Sequence, residues 1–203
     1  MTQIDRLPPT DELVGQTLRL VSPGAPTLEL SFISPDQVVW RSDGRSGAEG
    51  CEVIEVTPDV FFIDMTFMER PREALSVIVD MTTRRSLQIR SIVREEEVPG
   101  EHRVVQVFHP GVLEGGVAKG EEPALAGDLG RAITYRFAPD QYVSTSCESE
   151  LAGASVFFLD FKDRRSTGKV LGITADGRVF NRPASYVITQ TSMISHSPEA
   201  SPA

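Results

Sequence analysis

The sequence predicts an all-β protein, an antiparallel β-barrel built from two related meanders, on three observations. Apolar and polar residues alternate with period two through most of the chain. Short turn signals made of Pro, Asp and Gly separate these runs. One hairpin, SVIVDMTTRRS, returns later as SVFFLDFKDRRS. Period-two alternation puts successive side chains on opposite faces, so each run reads as a strand with one buried face.

In chain order, residues 10–15, TDELVG, predict a single capped turn, with the Thr10 hydroxyl as cap. Leu28, Leu30 and Phe32 then alternate with Glu29 and Ser31. Phe61, Ile63, Met65 and Phe67 alternate with Phe62, Asp64 and Thr66. Ile133, Tyr135 and Phe137 alternate with Thr134 and Arg136. The corners are SPD at 34–36, TPD at 57–59, APD at 138–140 and ADG at 175–177. Proline presets φ at a corner and aspartate can close a turn onto the backbone. Residues 111–129 are rich in Gly, Ala and Glu and read as a connector or lid loop. Residues 195–203 read as a disordered tail.

The repeat extends beyond the hairpin. Asp80, Arg84, Arg85 and Ser86 match Asp160, Arg164, Arg165 and Ser166 at an offset of 80. Pro58, Asp59 and Glu69 match Pro139, Asp140 and Glu150 at an offset of 81. A meander buries a face only when another sheet covers it or the sheet closes on itself. The expected layout is an N-terminal segment (1–14) and one barrel domain (15–194). Its meander halves run over about 15–110 and 130–194. The second half lacks counterparts of the runs at 28–41 and 51–56, so it is not expected to form a full barrel alone.

Charge narrows the function classes. The net charge is −9 and the pI about 4.9. Such a field repels phosphate backbones and anionic lipid, so neither nucleic acid nor membrane is an expected partner. The start, MTQIDRLPPT, has no apolar core of a signal peptide, and no apolar run is long enough to span a bilayer. The expected localisation is cytoplasmic. In that compartment Cys51 and Cys147 are expected to be reduced thiols. Glu148 and Glu150 next to Cys147 oppose an activated thiolate. His102, His109 and His196 show no HxH or HxxxH spacing, and there is no CxxC, so no metal site is signalled. GVLEGGVAKG lacks the context of a phosphate loop, and no GxSxG elbow exists. No cofactor is therefore expected.

The strings LVGQTLRLV, LELSF, VVWR, CEVIEVTPDVFFIDMTF and LSVIVDMTTRRSLQIRS, followed by GRAITYRF, PDQYVSTSCESE and VFFLDFKDRRSTGKVLGI, resemble the MoaF-like proteins. That family is named for a link to molybdenum cofactor biosynthesis. Its fold is similar to lipocalins and to bacterial phenolic acid decarboxylases. The resemblance covers most of residues 13–191 and implies a lipocalin-like, calycin-type barrel with a ligand cavity. It also implies that Arg41, following Trp40 and preceding SDGRSG, and Glu69, in TFMERP, stand where the decarboxylases carry their catalytic pair. Those enzymes hold the substrate carboxylate with tyrosines on their first strands. Here residues 16–33 contain none, and Tyr135, Tyr142 and Tyr186 all lie in the second half.

Arg41 could grip a carboxylate or enolate through paired hydrogen bonds, or sit at the rim paired with Asp43. Glu69 could act as general acid or base, or be a loop carboxylate beside Arg70 and Arg72. Trp40, Asp64, Arg90, His102, Tyr135 and Tyr142 are candidate ligand contacts. Two functions follow. One is a cofactor-free lyase, isomerase or cyclase acting on a small apolar carbonyl or carboxylate compound. The other is a non-catalytic ligand-binding or accessory protein of the MoaF-like type. The expected partner is a small-molecule ligand, and a homodimer is compatible with the sequence. Convergence of Arg41, Glu69 and a tyrosine hydroxyl in one pocket separates the two readings.

Overall fold

A computed structural model describes residues 6–115, 124–128, 132–148 and 152–188. Every strand pairing among them is antiparallel. Strands β1 (Thr17–Val21), β2 (Leu28–Ser34), β3 (Gln37–Ser42), β4 (Arg45–Thr57), β5 (Val60–Thr66), β6 (Glu73–Asp80), β7 (Arg85–Val93) and β8 (Val104–Leu113) close into a barrel. Strands β9 (Ala124–Asp128), β10 (Ala132–Ala138), β11 (Gln141–Glu148), β12 (Gly153–Asp160), β13 (Arg165–Ile173) and β14 (Val179–Val187) form a second sheet, in the order β14-β13-β12-β11-β10-β9. Among the described residues no helix is long and apolar enough to cross a membrane.

Barrel closure is the seam of β1 against β8, with Leu20 opposite Leu113 and Val21 opposite Val112. Beside it the Glu114 N–H donates to the Arg19 carbonyl of β1 at 2.8 Å. Gly111 permits this approach, because a Cβ there would overlap the Val21 carbonyl and the Ser22 hydroxyl. The lumen is filled with side chains. Leu20, Leu30, Phe32, Val38, Val53, Phe61, Ile63, Met65, Val77 and Val79 belong to one buried cluster. The expected N-terminal turn is present and closes one end. Thr10 Oγ1 accepts from the Glu12 N–H at 3.3 Å, and Leu13 is buried in the lumen cluster. The opposite end is the mouth.

The two meanders have matching geometry. Asp59 and Asp140 take positive φ of 63° and 60°, and Arg84 and Arg164 take 62° and 55°. The Met81 N–H donates to Asp59 O as the Phe161 N–H donates to Asp140 O, both at 2.9 Å. Val93 bonds Arg72 O as Ile173 bonds Ala152 O, and Leu113 bonds Arg84 O as Ile188 bonds Arg164 O. Asp80 and Asp160 each turn Oδ1 onto backbone N–H groups of the hairpin loop that follows.

Their place in the molecule departs from expectation. Strands of both halves were expected to share one barrel, yet the first half closes by itself. The second sheet has no counterparts of β1 and β2 among the described residues, and its edges β9 and β14 do not meet. It buries one face on the outer wall of the barrel instead. Phe62, Ile78, Leu87 and Ile89 pack with Phe137, Val143, Val156 and Phe158. Ala74, Val93 and Val104 pack with Ala154, Leu171 and Ile173. Each large apolar side chain buried here contributes roughly 1.5–3 kcal/mol, against about 0.5–1.5 kcal/mol for an ordinary hydrogen bond. Packing therefore dominates the interface. Of the expected connector, residues 111–113 end β8 and 124–128 form β9, while 116–123 and 129–131 lie outside the described residues. So does the expected tail, 195–203.

Polar ties fix how the sheet is seated. Arg85 Nη1 donates to the Phe137 carbonyl at 2.6 Å, and Gln106 Nε2 to the Ser155 carbonyl at 3.1 Å. Lys169 on β13 is 2% exposed and pairs with Asp64 Oδ1 of β5. Asn181 Nδ2 holds Asp64 Oδ2 at 3.1 Å. Burial pushes the Lys169 amine down from 10.5 to about 7. The unfolded chain therefore binds more protons than the folded one between about pH 7 and 10.5. Stability from this group rises with pH across that window, and its cost is fully present below pH 7. Lys169→Met is expected to flatten this slope in urea melts at pH 7 and pH 9. Alone it should destabilise at pH 7, by at most about 3–5 kcal/mol, because the half-buried Asp64 carboxylate loses its cation and keeps only the bond from Asn181. Lys169→Met with Asp64→Leu should recover most of that loss. A double variant no more stable than the single one would contradict this role for the pair.

Candidate functional site

Period two decides which side chains reach the mouth. On β3, Val38, Trp40 and Ser42 point in, so Arg41 points out. On β7, Gln88 and Arg90 point in, between Leu87 and Ile89, which face the second sheet. On β8, His109 lies opposite Gln88. The result is a cup of about 300 Å³ at the mouth. Leu28, Met65, Leu75, Trp40 and Phe67 form its apolar lining. Arg45, Arg70, Arg90 and His109 supply its polar groups, with Asp43 on the rim.

The aromatic floor is ordered. Trp40 and Phe67 meet edge to face, with centroids 5.9 Å apart. The Arg70 guanidinium lies 4.1 Å from the Phe67 ring centroid and 5.6 Å from that of Trp40. Such cation–π contacts hold a guanidinium flat on an apolar surface. Gly47 makes room for the indole, since a Cβ there would lie 2.7 Å from Trp40 Nε1. That Nε1 is buried and has no hydrogen-bond partner among the described residues. Glu73 stands behind the arginines. Its Oε2 accepts from Arg70 Nη1 at 2.8 Å and from Arg90 Nη2 and Nε at 2.6 and 3.2 Å. A chain of donors ties the wall together: Gln88 Nε2 to Ser22 Oγ at 3.0 Å, and Ser22 Oγ to the His109 carbonyl at 3.3 Å. Arg45 has no ion-pair partner among the described residues. Three arginines thus converge on a small concavity in a chain of net charge −9.

Of the candidate residues, Trp40 and Arg90 line this cup. Arg41 lies on the outer face, 63% exposed, and its Nη1 bonds Glu29 Oε1 across the β2–β3 ladder at 2.7 Å. Its partner is Glu29 and not Asp43. Glu69 is exposed on the β5–β6 loop and is not part of the cup lining. Asp64 is outside the barrel, in the ion pair that seats the second sheet. His102 borders a different cavity of about 360 Å³, between β8 and the second sheet, with Arg94, Gln106 and Cys147. Tyr135 stacks on Phe108 of the outer wall at 5.1 Å. Tyr142 meets Phe161 edge to face at 5.6 Å, on the second sheet. Among the described side chains, Arg41, Glu69 and the hydroxyls of Tyr135 and Tyr142 do not converge.

Arg45, Arg70, Glu73 and His109 were missed as site residues. For His109 a signal existed: it shares its face with Val105 and Val107 in the alternation on β8. Arg45 opens β4 just after the 43–44 turn and Arg70 sits in the β5–β6 loop, where period two gives little direction. Neither thiol is activated. Burial, with Asp36 and Glu52 nearby, pushes Cys51 up to about 11, and burial raises Cys147. Among the described residues no three His, Cys, Asp or Glu side chains gather as a metal site.

The fold and cup define an eight-stranded antiparallel barrel, plugged at one end and open at the other through a cationic, aromatic mouth. Residues 3–95, which carry β1 to β7, match the family model of the MoaF N-terminal domain, so the resemblance to MoaF-like proteins is shown for this segment. No curated protein matches the chain.

Trp40 is the chain's single tryptophan, so its emission reports the cup directly. Gly47→Ala is expected to displace the indole and shift its fluorescence, while leaving the strand signature of far-UV circular dichroism unchanged. An unaltered emission spectrum would show that the indole does not rest on Gly47.

Proposed function

We propose that this barrel binds a small organic anion with a planar apolar body in its mouth. One observation carries the reading: Arg45, Arg70 and Arg90 line the same small cup as Trp40 and Phe67. Guanidinium groups recognise carboxylate and related oxyanions by paired hydrogen bonds. The rings offer stacking surface for an apolar body. The bulk of the chain is acidic, so the cup is a local positive feature that draws a small anion toward it.

Binding is the simplest function this geometry supports. A second reading, a cofactor-free lyase or isomerase acting on a carbonyl or carboxylate compound, is favoured by His109. An imidazole can give and take a proton, and this one borders the same cup. In that reading Arg45 and Arg90 hold the oxyanion and His109 exchanges the proton.

Titration with 2-naphthoate, followed by Trp40 fluorescence and calorimetry, tests the proposal. Saturable binding is expected, with 2-naphthol bound more weakly. Arg90→Met and Arg45→Met should each weaken naphthoate by about 1.5–3 kcal/mol, the range for hydrogen bonds to charged groups. Arg41→Ala should leave it unchanged. Equal losses in all three variants, or no binding of naphthoate, would contradict the assignment of the cup.

A further inference from the structure

The charge balance of the cup singles out Glu73. Three arginines border the cavity. Two of them, Arg70 and Arg90, deliver three N–H bonds to a single oxygen of Glu73. The Glu73 side chain is 17% exposed, shielded behind the guanidinium groups, and it is not itself part of the lining. Its position is fixed by backbone. The Glu73 N–H donates to the Arg70 carbonyl at 2.9 Å, and Glu73 pairs with Ile92 at the start of β6. The carboxylate is therefore a built-in counter-ion and not a mobile rim charge. With Asp43 as the other anion at the mouth, three positive charges face two negative ones. One positive charge is left for a ligand.

We propose that Glu73 sets the ligand charge, so that the cup selects a monoanion over a dianion with the same apolar body. This rests on the anion-binding reading above. A monoanion completes the neutral balance around the arginines. A dianion of the same shape brings one further negative charge close to a carboxylate that water screens poorly, and like charges so placed repel strongly. The bonds to Glu73 leave Arg90 Nη1 and the Nε and Nη2 of Arg70 without a Glu73 contact, enough donors for one oxyanion group. Glu73 is thus a specificity residue: it touches the arginines that hold the ligand, not the ligand.

The test compares 2-naphthoate with 2-naphthyl phosphate at pH 8, where the second is a dianion, on the full chain and on Glu73→Gln. The wild-type protein is expected to favour naphthoate. Glu73→Gln should shift the phosphate-to-naphthoate affinity ratio toward the phosphate by about tenfold. Asp43→Asn, on an exposed turn and remote from the arginine bonds, should shift it the same way by a smaller factor. It also serves as the readout if Glu73→Gln does not fold. A residue that only positions the arginines would, on removal, weaken both probes alike. An unchanged ratio in the folded variants therefore overturns this proposal while sparing the anion site. A wild-type protein that binds naphthoate no better than naphthol overturns the anion site itself.

Discussion

The structure depends on the seam between β1 and β8. It is short, with Leu20 opposite Leu113 and Val21 opposite Val112, yet it turns an open sheet into a barrel. Closure removes both sheet edges and gives the inward faces of eight strands a common interior. It also makes the mouth a ring, so side chains from β3, β5, β7 and β8 line one cavity. Trp40, Phe67, Arg90 and His109 share a cup for that reason. Gly111, whose missing Cβ lets the strands meet, is as much a part of the site as any lining residue.

The same meander meets two fates in one chain. In the first half its inner face is buried by closure and its outer face by the second sheet. In the second half the described strands do not close, and the sheet satisfies its outer face on the barrel wall. The interface is chiefly apolar, and the buried Lys169–Asp64 pair adds orientation more than net stability. The substitution is visible in the repeat. Lys169 falls where the first meander has Ile89, and Asp64 where the second has Thr145. One ion pair is thus formed from two positions that diverged between the copies.

Much of the fold was legible in the sequence because it rests on local rules. Period two sorted the residues of β2, β5 and β10 into two faces, but on β5 it did not say which face turned inward, and Asp64 was expected at the ligand. The matched Pro-Asp corners at 58–59 and 139–140 marked turns that do adopt left-handed aspartates. What joins to what was not legible, because pairing of β1 with β8 is a contact between distant segments with no local signature. The site was legible only in part. Alternation put Trp40 with Val38 and Arg90 with Gln88, and left open which of these faces turned inward. The same alternation already turned Arg41 away from Trp40, yet the resemblance to decarboxylases carried it into the expected pair. Arg45 and Arg70 lie beside turns, where side-chain direction depends on tertiary contacts such as the Phe67 ring and the Glu73 carboxylate.

On the anion-binding proposal, ligand enters the barrel mouth and not the cavity beside His102. A nitrogen–proton correlation spectrum during a naphthoate titration tests it most directly. The chain has one indole N–H, that of Trp40, which is buried in the wall of the cup. This resonance is expected to move in step with saturation, together with the side-chain Nε–H signal of Arg90, while the His102 imidazole signals stay in place. A stationary indole signal, with shifts confined to His102 and its neighbours on β8 and β11, would contradict it.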